Sequence, residues 1–159
     1  MALNKVIVNV GVGMWYPKGT ARLVKSLYDK GYDGLQGYLS TVDTLVAHNG
    51  IHYDIIHLRR LLGIDFPDRK ITDTLVLSRL FNYGLTGGHS LEAWGMRFNT
   101  LKSTFNAFEI FSEEIVKRCV DDVEINYTLY KYLVNKELFD GAKRAILIEQ
   151  DVKAIMTQQ

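Results

Sequence analysis

His48-Asn49-Gly50-Ile51-His52-Tyr53-Asp54-Ile55-Ile56-His57-Leu58 follows directly on the apolar stretch Leu45-Val46-Ala47, and this junction decides the fold. Apolar residues that stop at His-Asn-Gly and resume after Tyr-Asp describe a strand ending in a turn that feeds a helix N-terminus. The helix is expected from about Tyr53 to Leu62, with Gly63 closing it. Asp54 then sits in the first turn, where the helix dipole favours a carboxylate without any metal. A carboxylate at such a junction is also a candidate metal ligand, and that role demands partner acids on the first strand and on a late helix.

Outward from this stretch the order of elements is legible. Lys5 to Val10 alternates and is rich in Val and Ile, a buried first strand ended by Gly11-Val12-Gly13. Thr20 can cap a helix over Ala21 to Lys30, stopped by Gly31 and Gly34. A short segment from Gly37 to Asp43 leads into a strand over Thr44 to His48. Ile71 to Thr74 reads as a short extended piece, and Leu75 to Phe81 as a helix broken by the Gly84, Gly87 and Gly88 cluster. Ser90 caps Leu91 to Phe98, with Glu92 in the first turn, and Ser112 caps the longest helix with Glu113 and Glu114 behind it. Along that helix Val116, Val120, Val123, Tyr127, Tyr130 and Val134 recur at helical spacing, which predicts a buried stripe. A last amphipathic segment runs from about Ala142 to Met156. Strand, helix, strand and then mostly helices predict an α/β sandwich with a reduced sheet and helices packed on it.

Composition sets the outer limits. A chain of 159 residues, 47% hydrophobic, suits one compact domain. The single cysteine, Cys119, excludes an internal disulfide and agrees with a reducing compartment. No apolar run is long enough to span a membrane and no secretory signal opens the chain, so a soluble cytoplasmic protein is expected. A formal net charge of +1 gives no overall basic field for nucleic acid. It does not exclude nucleic acid either, because bound cations and backbone amides supply local positive potential. The doublets Arg59-Arg60 and Arg69-Lys70 read as solvated faces.

Three stretches carry a resemblance: His48-Asn49 with Tyr53-Asp54, Thr72-Asp73-Thr74-Leu75-Val76-Leu77-Ser78-Arg79-Leu80, and Gly88-His89-Ser90-Leu91-Glu92-Ala93-Trp94-Gly95. Together they resemble the DEDD (DnaQ-like) 3′–5′ exonucleases, in particular the proofreading domains of phage-type family A DNA polymerases. The resemblance covers about Gly37 to Leu133, and Ala145 to Gln159 is similar to the lead-in to a polymerase region. It implies a ribonuclease-H-like exonuclease fold and four carboxylates holding two divalent cations, Mg²⁺ or Mn²⁺. Two-metal phosphodiester hydrolysis needs one cation to activate water and one to stabilise the leaving oxygen, hence several carboxylates. On the matching positions Asp54 and Asp122 are the implied metal ligands and catalytic acids. His48 and Asn49, with Tyr53 beside them, are implied to shape the pocket for the terminal nucleotide of a single-stranded DNA 3′ end.

The chain departs from that pattern in three places. Where the family has Asp-x-Glu on the first strand, this chain has Asn9-Val10-Gly11, so two of four carboxylates are missing. Arg118 stands at the position of the family's water-orienting tyrosine, one helical turn before Asp122, where it can instead pair with that acid. About 35 residues separate the first strand from Leu45, without a recognisable pair of strands, and Trp15-Tyr16-Pro17-Lys18-Gly19 loosely resembles the opening of nucleotide-sugar glycosyltransferases. The expected organisation is one exonuclease-like domain over 1–159, comprising a divergent segment 1–36, a core 37–139 and a C-terminal helix within 140–159.

Other residues have plainer readings. Asp29, Asp33 and Asp43 are expected as exposed loop or helix-end acids, His52 and His57 as surface histidines, His89 as a loop residue and Asp121 as solvent-facing. Asp73 reads as a turn or capping acid before Thr74-Leu75, and Trp94 and Met96 as core or rim filler. Two functions follow: an impaired metal-dependent 3′–5′ exodeoxyribonuclease, or a catalytically inactive module binding DNA, a replication protein or a second copy of itself. A glycosyltransferase is third, since only the opening segment supports it.

Overall fold

The computed structural model of the protein describes residues 5–9, 13–15, 37, 39–40, 42–63, 71–100, 113–135 and 140–157. Among them, four strands form one sheet in the order β2-β1-β3-β4, where β1 is Lys5–Asn9, β2 Gly13–Trp15, β3 Thr44–Ala47 and β4 Ile71–Asp73. Strand β3 runs parallel to β1, with Ile7 level with Val46, and parallel to β4, with Ala47 level with Asp73. The α/β architecture predicted from the order of elements is therefore present. Continuing the parallel register of β1 and β3 brings Asn9 to the end of the sheet from which His48 departs.

Of the interval between β1 and Leu45, where the sequence shows no recognisable pair of strands, one strand is described. Strand β2 folds back antiparallel on β1, with Asn9 opposite Gly13 and Ile7 opposite Trp15. By sequence Gly11 to Gly13 reads only as a terminator, because a strand of three residues is too short to show a period of its own. The helix over Ala21 to Lys30 and the Ser112 cap fall outside the described residues.

Five helices are described beside the sheet: α1 Asp54–Leu62, α2 Thr74–Phe81, α3 Leu91–Arg97, α4 Glu113–Val134 and α5 Lys143–Thr157. Their ends follow the sequence signals. Gly63 adopts φ 62°, the left-handed conformation that closes α1. Asp73 accepts from the Leu75 amide and Ser90 from that of Ala93, capping α2 and α3. Helix α4 lies against β1 and β2 on one side and α2 and α3 on the other, while α2 also meets α5.

That double contact corrects the predicted stripe on α4. Among the described side chains of α4 the buried ones are Cys119, Val123, Ile125, Asn126, Leu129, Tyr130 and Leu133, so Val123 and Tyr130 of the stripe are buried as expected whereas Val120 is exposed. A helix wedged between a sheet and two helices buries an arc wider than one seam, and the arc here is centred one residue away from the Val and Tyr pattern. Val46, Leu77, Trp94 and Ile146 join it in one core, where Trp94 stacks on Phe98 with ring centroids 5.5 Å apart and donates from Nε1 to Ser78 Oγ at 2.9 Å. Met96, by contrast, is exposed.

Candidate functional site

The parallel strands end on the side of the sheet where connecting loops gather, which is where open α/β sheets bind ligands. Strand β3 ends at Ala47, and the chain then turns through His48, Asn49, in the left-handed conformation at φ 62°, and Gly50. Gly50 is required by space: a Cβ there would lie 2.3 Å from the Ala47 Cβ. The Gly50 carbonyl accepts from the amides of Tyr53, at 3.3 Å, and Ile55, at 2.9 Å, and so winds the chain into α1 with Asp54 at its first position.

A cleft of about 160 Å³ opens here, lined by His48, Asn49, Tyr53 and Asp54 from the loop and by Asp122, Val123 and Asn126 from α4, with Leu91 at its edge. Five residues singled out from sequence therefore meet across separate segments of the chain. Asp54 is 5% exposed and Tyr53 is 56% exposed, so the acid lies deep and the ring stands at the rim. Arg118 is half-buried one turn before Asp122 and outside the cleft lining. A larger hollow of about 590 Å³ between α2 and α5, lined by His52, Arg79, Tyr83, Glu149 and Lys153 among others, contains neither motif acid.

Polar side chains fix the cleft from behind. Thr74 Oγ1 donates to Asn126 Oδ1 at 2.6 Å and lies 2.9 Å from His48 Nδ1. Thr74 Oγ1 thus links the His48 imidazole to Asn126 and fixes the ring's orientation at the cleft. Thr74 and Asn126 were missed in the sequence. Asn126 carried a signal, since it follows Asp122 by four residues and shares its face of α4.

The acid Asp73 proves to be more than a cap. It is fully buried, and its carboxylate accepts from the amides of Asn49 at 2.9 Å, Ile51 at 3.4 Å and Leu75 at 3.0 Å, and from Lys153 Nζ at 2.6 Å. His52 is exposed and meets Thr157, whereas His89 is held between Ser78 Oγ, at 2.7 Å, and the Tyr83 carbonyl, at 3.2 Å. Asp43 is exposed as expected, and Asp121 is partly buried. Beside the cleft, burial pushes the Cys119 thiol pKa up, the Asp122 carboxylate raises it further, and Arg118 opposes both.

The resemblance implies two cations, which the donor set does not fit. Strand β1 ends in Asn9, and among the described residues no group of three or more His, Cys, Asp and Glu side chains converges to hold a metal ion. Asp54 and Asp122 are the acids that line the cleft.

Fold and cleft together define an α/β domain with a carboxylate-bearing polar cleft at the end of the parallel strands of a mixed sheet. No family model matches the chain. It is similar to the DNA-directed DNA polymerase of Escherichia phage T7, with 27% identity over 174 aligned residues that cover 87% of this chain and 25% of that protein. The DNA-directed DNA polymerase of Enterobacteria phage T3 is 28% identical over 140 residues, covering 68% and 20% respectively. These similarities support a DNA-polymerase-derived domain, and the chain spans about a quarter of the length of the T7 relative. No described helix is long and apolar enough to cross a membrane.

Proposed function

We propose that the chain is a proofreading-type 3′–5′ exonuclease domain whose pocket for a DNA strand end is kept and whose two-metal phosphodiester hydrolysis is impaired. One observation carries this reading: Asp54 and Asp122, far apart in sequence, line one cleft with His48, Asn49 and Tyr53. The sheet order, with an antiparallel β2 beside parallel β1, β3 and β4, supports a ribonuclease-H-like frame. The similarity to two phage polymerases supports nucleic acid as the partner and the host cytoplasm as the place of action. On this reading α5 leads towards a polymerase region.

In the cleft, His48 and Asn49 orient the terminal nucleotide and Tyr53 closes its open side. Asp54 and Asp122 do not make the two-cation site that the resemblance implies; they are the proposed ligands for at most one Mg²⁺ or Mn²⁺, which when bound would neutralise phosphate charge. Asn9 is a neutral, weak ligand and Gly11 offers no side chain, so the bridging and chelating carboxylates are gone. Arg118 cannot accept a proton from water and acts instead by its charge near Asp122.

A second reading, a catalytically inactive module binding DNA or a replication protein, is favoured by Asn9 and Gly11 themselves. Incubation with a 5′-labelled single-stranded oligonucleotide and Mn²⁺, beside an Asp54→Ala variant, separates the two. Slow mononucleotide release by the parent that disappears in the variant is the result expected of an impaired enzyme. Strand binding without any release points to the inactive module, and neither binding nor release overturns both.

A further inference from the structure

Lys153 and Gln150 lie on α5, about a hundred residues after the cleft loop, and both are buried although they are polar. Gln150 accepts from the Asp73 amide through Oε1 at 2.8 Å and donates from Nε2 to the Ile71 carbonyl at 3.0 Å, so α5 completes the edge of β4. Lys153 pairs with Asp73 Oδ2 at 2.6 Å. The other oxygen of that carboxylate accepts from Asn49, the left-handed residue that lines the cleft. A buried carboxylate without its cation is strongly disfavoured. A non-glycine residue at positive φ persists only when its surroundings hold it there.

We propose that Asp73, Lys153 and Gln150 are positioning residues for the cleft: α5 docking holds the Asp73 carboxylate in place, and Asp73 holds the loop from His48 to Asp54 in its binding shape. Ligand entry and α5 docking are then thermodynamically coupled, and each strengthens the other by the same factor. The reading of the cleft as a strand-end pocket supplies the ligand, and the inference rests on that reading only there.

The test uses the full chain as Lys153→Met, which keeps the stem and removes the charge, with Lys153→Arg as the charge-restoring control and Gln150→Met as a second variant. Amide hydrogen exchange at Asn49 and Ile51 is measured without ligand, with thermal unfolding recorded alongside. Binding of a short oligo(dT) is measured by fluorescence anisotropy. The expected result is selective loss of protection at Asn49 and Ile51 in Lys153→Met, recovered in Lys153→Arg, with affinity reduced about tenfold. If Lys153→Met does not fold, Gln150→Met must show the same local loss. Unchanged exchange at both amides in a folded variant overturns the proposal. Absence of oligo(dT) binding by the parent overturns the strand-end reading instead, while the ligand-free exchange still decides whether α5 docking holds the loop.

Discussion

Gly50 sits where β3 turns into the cleft loop, and a methyl group at this position would approach the Ala47 Cβ to 2.3 Å, which leaves no room for a side chain. Gly50→Ala should therefore cost about 1–3 kcal/mol in urea unfolding, as overpacking does, and weaken ligand binding in the cleft. Cys119 gives a second prediction. Burial and Asp122 raise its pKa in the folded chain above the ordinary 9.0 of an exposed thiol. The folded chain then keeps a proton that the unfolded chain has released, so this contribution to stability is complete below pH 9.0 and is lost as pH rises through the folded value. Thiol titration should find Cys119 slow to react at pH 8 until urea is added, and Asp122→Asn should make it faster. Reactivity equal to a free thiol in the folded parent would contradict this. At the same scale Asp73 was half legible: its place before Thr74-Leu75 announced the cap, but Lys153, 80 residues away, gave no local sign of the ion pair.

Helix ends were the most legible elements, because their signals are local. Ser90 caps α3 through the Ala93 amide as its position predicts, and Ser90→Ala should lower stability by about 1 kcal/mol in denaturant unfolding. An unchanged midpoint would show that the cap contributes nothing. Helix faces were less legible. On α5 the buried side includes Gln150 and Lys153, while Leu147, Ile148, Val152, Ile155 and Met156 are exposed. An apolar pattern read alone would bury the opposite face; here Gln150 and Lys153 turn inward with Ile146 and bond to the β4 backbone and the Asp73 carboxylate. The β1–β2 hairpin was missed for a different reason, since three residues carry no period.

Over the whole molecule, the cleft was legible in residues and not in completeness. The motifs around His48, Asp54 and Asp122 are far apart in sequence, and the fold brings them to one place. Thr74 and Asn126, which brace His48, emerge from packing between α2 and α4. The similarity to the T7 and T3 DNA polymerases spans most of this chain and a quarter or less of theirs. It supports the lineage, while the chemistry rests on the cleft's own donors. On the proposed reading, hydrolysis is limited by the first-strand positions and the remaining pocket is competent. The most direct test is the rate of mononucleotide release from a single-stranded 3′ end, with Mg²⁺, by an Asn9→Asp, Gly11→Glu double variant. The predicted result is a gain of about a hundredfold or more over the parent, abolished when Asp54→Ala is added. A folded double variant that binds the strand yet releases nucleotides no faster than the parent would contradict it.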